Sequence, residues 1–198
     1  MKIISLAQGS QEWLDWRKTR ITATDASVIM GVNPFKNVST LWKEKLDIVA
    51  APTANERMLR GQELEPVARQ LFIEETGIDV EPLVVESDEF YWMGASLDGI
   101  NDTRKIIIEI KCPSSDTHLL AVDGSIRPYY MVQMQHQLYA SEAHICYYVS
   151  YNPACDPKLT IIEVIRYKTF MEEMIEREKH FFEKHLSSME EPTGDWIL

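Results

Sequence analysis

Six consecutive residues constrain this chain more than any others: Ile106-Ile107-Ile108-Glu109-Ile110-Lys111. The run is apolar and β-branched, which predicts a strand, yet two charges sit near its end. Side chains alternate faces along a strand. Ile106, Ile108 and Ile110 therefore share one face, and Ile107, Glu109 and Lys111 share the other. A charged pair at i, i+2 on so apolar a strand costs stability unless something binds there or water reaches it. Asp98 lies on the preceding strand, just before Gly99, and the stretch from Tyr91 to Pro113 reads as a hairpin. If the turn centres on Asp102-Thr103, Asp98 faces Ile107 and lies diagonally from Glu109. Centred one residue later, it faces Glu109 directly. Either register puts both acids on one face, about 5 to 8 Å apart at Cβ. An intermediate register would separate them. A sheet edge blunted by charge leaves the same pattern, so the hairpin alone does not decide between edge and site.

A length of 198 residues suits a single domain with an ample core. No apolar run approaches the ~20 residues of a membrane span, and the N-terminal apolar stretch is too short for a signal peptide. Cys112, Cys146 and Cys155 are odd in number and lack CxxC spacing, which excludes a four-cysteine cluster within one chain. Free thiols in a reducing cytoplasm are expected. The net charge of −11 argues against broad non-specific nucleic-acid binding. It leaves room for a carboxylate metal site and a local basic groove.

Helices are predicted over Gln11–Lys18, Ala23–Met30, Thr40–Leu46, Glu56–Thr76, Asp116–Val122, Pro128–Ala140 and Thr169–Met189. Thr22 and Asp25 resemble a capping box, and Gly31 and Gly77 act as stops. Strands are expected over Val80–Val85, Phe90–Ser96, Ile145–Tyr151 and Leu159–Arg166, with a loop over Ala50–Asn55. The order predicts an α/β (α+β) fold with a mixed sheet between helices. GxGxxG after a strand, GxxxxGK[ST], HExxH and GxSxG are absent, so nucleotide cofactors, zinc peptidases and serine hydrolases have no signature.

Glu65, on the predicted Glu56–Thr76 helix, is a third acid to weigh. Alone it reads as an i, i+4 ion pair with Arg69. Beside Asp98 and Glu109 it can belong to a metal site. Mg²⁺ takes hard oxygen ligands and keeps several waters. Two or three carboxylates, the Ile110 carbonyl and substrate phosphate oxygens would suit it. Such an ion polarises a phosphodiester and acidifies water, and a second could stabilise the leaving oxygen. Lys111 would orient that water or neutralise charge in the transition state.

Asp98 followed by Glu109-Ile110-Lys111 looks like the PD-(D/E)xK nuclease signature, with Leu97 where the nominal motif has proline. More widely, the chain resembles the YqaJ-like viral recombinase family, the lambda exonuclease family. The blocks that carry the resemblance are Trp13-Leu14-Asp15-Trp16-Arg17, Arg20-Ile21-Thr22-Ala23-Thr24, Gly61-Gln62-Glu63-Leu64-Glu65, Ser96-Leu97-Asp98-Gly99, Glu109-Ile110-Lys111-Cys112-Pro113 and Tyr130-Met131-Val132-Gln133-Met134-Gln135. They span most of the chain, in the family's order.

The resemblance implies a restriction-endonuclease-like core in one nuclease domain over 1–198. A helical segment, 1–55, would carry a 5′-phosphate pocket, and 56–198 would form the core. It implies a Mg²⁺-dependent exonuclease, with one or two ions and Mn²⁺ a substitute. The enzyme would degrade the 5′-ended strand of linear duplex DNA and leave a 3′ single strand for an annealing protein. Asp98 and Glu109 would be metal ligands with Ile110 and Glu65, Lys111 the catalytic lysine, and Gln133 an active-site glutamine. Arg17 and Thr24 would receive the 5′-phosphate, helped by the N-terminus of the Ala23–Met30 helix. Simple capping is the competing reading for Thr22 and Thr24, and a surface pair with Asp15 or Glu12 for Arg17. Gln133 and Gln137 share a helix face, Gln135 points elsewhere, and His136 reads as structural. Trp13, Trp16, Tyr147, Tyr148 and Tyr151 read as packing residues. A homotrimeric ring around DNA and a phage or prophage protein in a bacterial cytoplasm are also implied. The competing functions are a site-specific endonuclease and a nuclease-like module that only binds DNA ends.

Overall fold

The computed structural model describes residues 1–50 and 55–192, so most of the loop expected over 50–55 lies outside the described residues. A six-stranded sheet runs in chain order. Its strands are β1 (Lys2–Ile3), β2 (Glu81–Glu86), β3 (Gly94–Ile100), β4 (Ile106–Lys111), β5 (Ile145–Tyr151) and β6 (Leu159–Ile165). Neighbours are antiparallel except β4 and β5, which are parallel. A parallel pair needs a long crossover. Here it contains α5 (Ser115–Val122) and α6 (Pro128–Ser141). The remaining helices are α1 (Gln11–Lys18), α2 (Ala23–Ile29), α3 (Val38–Lys45), α4 (Glu56–Thr76) and α7 (Lys168–His180). The expected α/β class and mixed sheet are therefore present.

Strand parity sorts the core onto two sheet faces. Ile107, Cys146 and Tyr148 pack with Met134 and Leu138 of α6 and with Ile21, Val28 and Ile29 around α2. Ile108, Ile110, Val149 and Tyr151 pack against Ala68 and Phe72 of α4. Both halves of the chain share the first core. Ile21 bridges to Met93, and β1 forms the sheet edge beside β2.

Several boundaries differ from expectation. Phe90 and Tyr91, in the expected strand Phe90–Ser96, precede β3, which begins at Gly94. Aromatic content there reflects ring packing of Phe90 on Trp92 and Tyr139, not strand pairing. The C-terminal helix loosens to a π-helix over Phe181–Ser187, where a single α-helix was expected to Met189. Helix α3 starts at Val38, with Asn37 accepting from the Thr40 N–H as its cap.

Candidate active site

The β3–β4 register selects the second of the two expected hairpin alignments. Gly99 pairs with Ile108 and Ile100 with Ile107, so Asp98 stands opposite Glu109. The ladder to β4 stops there. On the other side, β3 has a bulge against β2, with pairing shifting from Leu83↔Leu97 to Glu81↔Ile100. Asp98 and Gly99 thus oppose the single residue Pro82, which has no N–H to give. The bulge re-aims Asp98. Its Oδ2 accepts from the Ile110 N–H at 2.7 Å, in place of a backbone rung. Gly99 is required at this crossing, since a Cβ would lie 2.8 Å from Ile108 and 2.9 Å from Val80.

A cavity of about 650 Å³ opens at this end of the sheet. Asp98, Glu109 and Lys111 line it, as do Glu65, Gln133, Arg17 and Thr24. Every side chain given a catalytic, metal or phosphate role in the sequence reaches this cavity except Ile110. The Ile110 side chain is buried on the opposite face, and only its backbone lies beside the acids. Gln62, Trp13, Ser96 and Gln137 complete much of the wall.

Glu109 is buried, with 3% of its surface exposed, and it forms an ion pair with Lys111. Gln137 Nε2 donates to its other oxygen at 2.5 Å. Burial and the nearby Glu109 charge push the Asp98 carboxyl well above the usual range. Burial works to lower the Lys111 ammonium, but Glu109 and Asp98 outweigh it and raise it. Lys111 is therefore a fixed cation, further held over the Tyr130 ring at 5.3 Å.

Glu65 takes part in two arrangements that the sequence presented as alternatives. It pairs with Arg69, and it lines the cavity. Arg69 Nε also donates to the Asp98 carbonyl at 2.7 Å, which ties α4 to the bulge. Pro66 lies inside α4 and cannot donate to the Gln62 carbonyl one turn earlier, so the helix wall here is irregular. Among the described residues, no three His, Cys, Asp or Glu side chains are gathered as a group able to hold a metal. The donor chemistry at the cavity nevertheless fits a hard divalent cation. Asp98 and Glu109 are adjacent carboxylates short of positive charge, and Gln137 Oε1 is buried without a partner among the described residues.

Across the cavity, Arg17 lies over the Trp13 ring at 4.5 Å, and Trp13 Nε1 donates to Ser96 at 2.8 Å. Trp13 is thus a wall of the cavity as well as a packing residue. Arg17 is turned toward Thr22 Oγ1, at 3.4 Å, and away from the surface pair with Asp15 or Glu12. Thr24 is exposed on this wall. The first turn of α2 carries an acid of its own: Asp25 Oδ2 accepts from the Thr22 N–H at 2.8 Å and hydroxyl at 2.7 Å. With seven residues and an internal carboxylate at its start, α2 is a poor anion site by its dipole alone. Positive charge on this wall comes from side chains.

Sequence reasoning missed two participants. Gln137 was grouped with Gln133 on one helix face but given no partner, and it contacts Glu109 directly. Lys45, near the end of the predicted Thr40–Leu46 helix, was given no role, and it is nearly buried against Asp25. Spacing could have revealed Gln137, one helical turn beyond Gln133. Nothing local in the sequence marks Lys45. His136 is structural as expected, buried between Glu178 at 2.8 Å and the Gly94 carbonyl at 3.0 Å. Gln135 is turned away, donating to the Ile165 carbonyl at 2.8 Å.

The fold is shared with solved exonucleases. An alkaline exonuclease (LHK-Exo) from Laribacter hongkongensis superposes with a TM-score of 0.80 at 27% identity, over 91% of this chain and 94% of that one. Its complex with dAMP gives 0.79 at 28%, over the same shares. A phage related exonuclease from Haemophilus somnus 129PT shares the fold at 0.65 and 16% identity, over 86% and 96% of the two chains. Residues 12–144 match the YqaJ-like viral recombinase domain, and the chain belongs to that family. It is 29% identical to the uncharacterized protein YqaJ of Bacillus subtilis (strain 168) over 130 residues, 64% of this chain and 41% of that protein. It is 28% identical to the uncharacterized protein R354 of Acanthamoeba polyphaga mimivirus over 159 residues, 73% of this chain and 29% of that protein. The chain thus spans less than half the length of either curated relative. No described helix is long and apolar enough to cross a membrane.

Proposed function

We propose that this chain is a divalent-metal-dependent exodeoxyribonuclease that degrades the 5′-ended strand of linear duplex DNA and leaves a 3′ single strand. One observation carries the reading: Asp98, Glu109 and Lys111 share a single cavity with Arg17 and Thr24. The first three suit phosphodiester hydrolysis, and the last two suit a terminal phosphate. The likeness to an alkaline exonuclease that is also seen in complex with dAMP supports a DNA substrate.

Asp98 and Glu109 would hold Mg²⁺, with Glu65 and the Ile110 carbonyl completing the protein's share and Mn²⁺ an expected substitute. When bound, the ion supplies positive charge against the phosphodiester and makes water acidic enough to attack at neutral pH. The chain's own groups do the rest. Lys111, an ammonium in the folded protein, would offset the negative charge that grows on the phosphoryl oxygens as water attacks and the 3′-oxygen leaves. Gln133 would orient the phosphate or the attacking water. Gln137 holds Glu109 in place. Arg17 and Thr24 would grip the 5′-phosphate, so that the cut falls at a strand end.

A three-copy ring around the duplex, a single-strand-annealing partner and action in the cytoplasm of a phage-bearing bacterium extend the same reading. The acidic balance of the whole chain suits a groove that is basic only locally. A strictly monomeric mass at working concentration would rule out the ring. For the activity itself, linear and covalently closed circular duplexes are incubated with Mg²⁺ or with chelator. Mononucleotide release from linear DNA with Mg²⁺ alone is expected. Cutting of closed circles would favour an endonuclease, and binding without cleavage would favour an end-binding module.

A further inference from the structure

Behind the Arg17–Thr24 wall, out of contact with the cavity, lies a nearly buried ion pair. Lys45 Nζ is 2.6 Å from Asp25 Oδ2, and the two side chains are 8% and 10% exposed. The same ammonium donates to the Arg17 carbonyl at 2.7 Å and the Arg20 carbonyl at 2.6 Å. All three of its hydrogens are used. Lys45 thereby joins the end of α1, which carries Arg17, to the capping box of α2, which carries Thr24.

We propose that Lys45 is the positioning residue that gives the cavity its preference for a phosphorylated 5′ end, by cancelling the Asp25 carboxylate behind the Arg17–Thr24 wall. The inference rests on the 5′-phosphate reading above and adds the group that makes the reading electrostatically workable. Asp25 is needed to cap α2, yet its charge faces away any anion that Arg17 attracts. Burial works to raise the Asp25 carboxyl, but Lys45 and Arg17 outweigh it and hold it below the usual range, so the repelling charge is permanent at neutral pH. With Lys45 present, the three groups carry one net positive charge. Without it they carry none, and at this depth the missing charge is only weakly screened.

The test compares equilibrium binding of 5′-phosphate and 5′-hydroxyl duplexes in chelator, so that no cleavage occurs. The readout is the affinity ratio, and a variant that restores the charge without the lysine's hydrogen bonds separates lost charge from lost packing. Lys45→Met should reduce the ratio at least tenfold. Adding Asp25→Asn in the same chain restores the net charge and should bring the ratio back to within threefold of wild type, while Lys45→Arg should retain it. An unchanged ratio in Lys45→Met, or no recovery in the double variant, overturns the inference. Should Lys45→Met fail to fold, Asp25→Asn alone keeps both cations and should raise the ratio; no increase overturns the inference. Arg17→Ala separates the two ideas. A wild-type ratio of one, unaltered by Arg17→Ala, defeats the phosphate pocket itself. A ratio lost in Arg17→Ala but kept in Lys45→Met defeats only the role of Lys45.

Discussion

Gln137 Nε2 meets Glu109 Oε2 at 2.5 Å, in a buried contact between α6 and β4, while its own Oε1 has no partner among the described residues. The amide fixes one oxygen of the acid and leaves the side shared with Lys111 to the cavity. Groups that orient a metal-binding side chain typically change metal affinity by 10–100-fold when removed. Gln137→Leu should therefore weaken Mg²⁺ binding by about tenfold. Calorimetric titration of the folded variant checks this. Unaltered affinity would make the contact a packing feature.

Lys111→Ala should lower the rate of hydrolysis by roughly 10²- to 10³-fold, the usual cost of removing a preorganised charge from the transition state. Circular dichroism should show an unaltered fold, because this side chain is partly exposed to the cavity. Cleavage at the wild-type rate would remove Lys111 from the mechanism.

Asp98 gives a pH signature. Its raised pKa means that the metal-free folded protein keeps a proton that the unfolded chain releases near 3.8. The contribution of this group to stability is therefore full below that value and is lost as pH rises through the folded pKa. Asp98→Asn should abolish cleavage and also raise the urea midpoint of the metal-free protein, more at pH 8 than at pH 4. By the same linkage Mg²⁺ must displace that proton, so its affinity should increase with pH. Equal midpoint shifts at both pH values would contradict this.

Gly94 tests the seating of α1. A Cβ there would lie 2.4 Å from Cη2 of Trp16, inside any tolerable contact. Gly94→Ala should cost about 1–3 kcal/mol, as overpacking does. Because Trp16 and Arg17 are neighbours on α1, the variant should also reduce the preference for 5′-phosphate ends. Chemical denaturation and the duplex binding ratio measure the two effects separately.

How far the sequence revealed this molecule depended on whether the information was local. Helix α1, helix α4 and strand β5 lie where periodicity and caps put them. Strand parity separated Glu109 and Lys111 from Ile108 and Ile110, and the register brought Asp98 opposite Glu109. The two-residue strand β1 was not foreseen, because its pairing with Glu86 and Val85 across the chain leaves no periodic trace. Neither was the bulge at Asp98. Its markers, Pro82 and Gly99, lie on different strands and gain meaning only when paired. Lys45 shows the same limit: its three acceptors lie 20 or more positions earlier, in segments whose approach is a tertiary fact.

Which strand is consumed, and from which end, is the most direct test. A linear duplex with both 5′ ends phosphorylated carries a base label in the 5′-terminal nucleotide of one strand, and products are followed over time with Mg²⁺. The labelled nucleotide should appear as a mononucleotide in the first turnovers, while the 3′ end of the same strand stays intact. Loss of the 3′ end first, or internal fragments that still carry the label, would contradict the account.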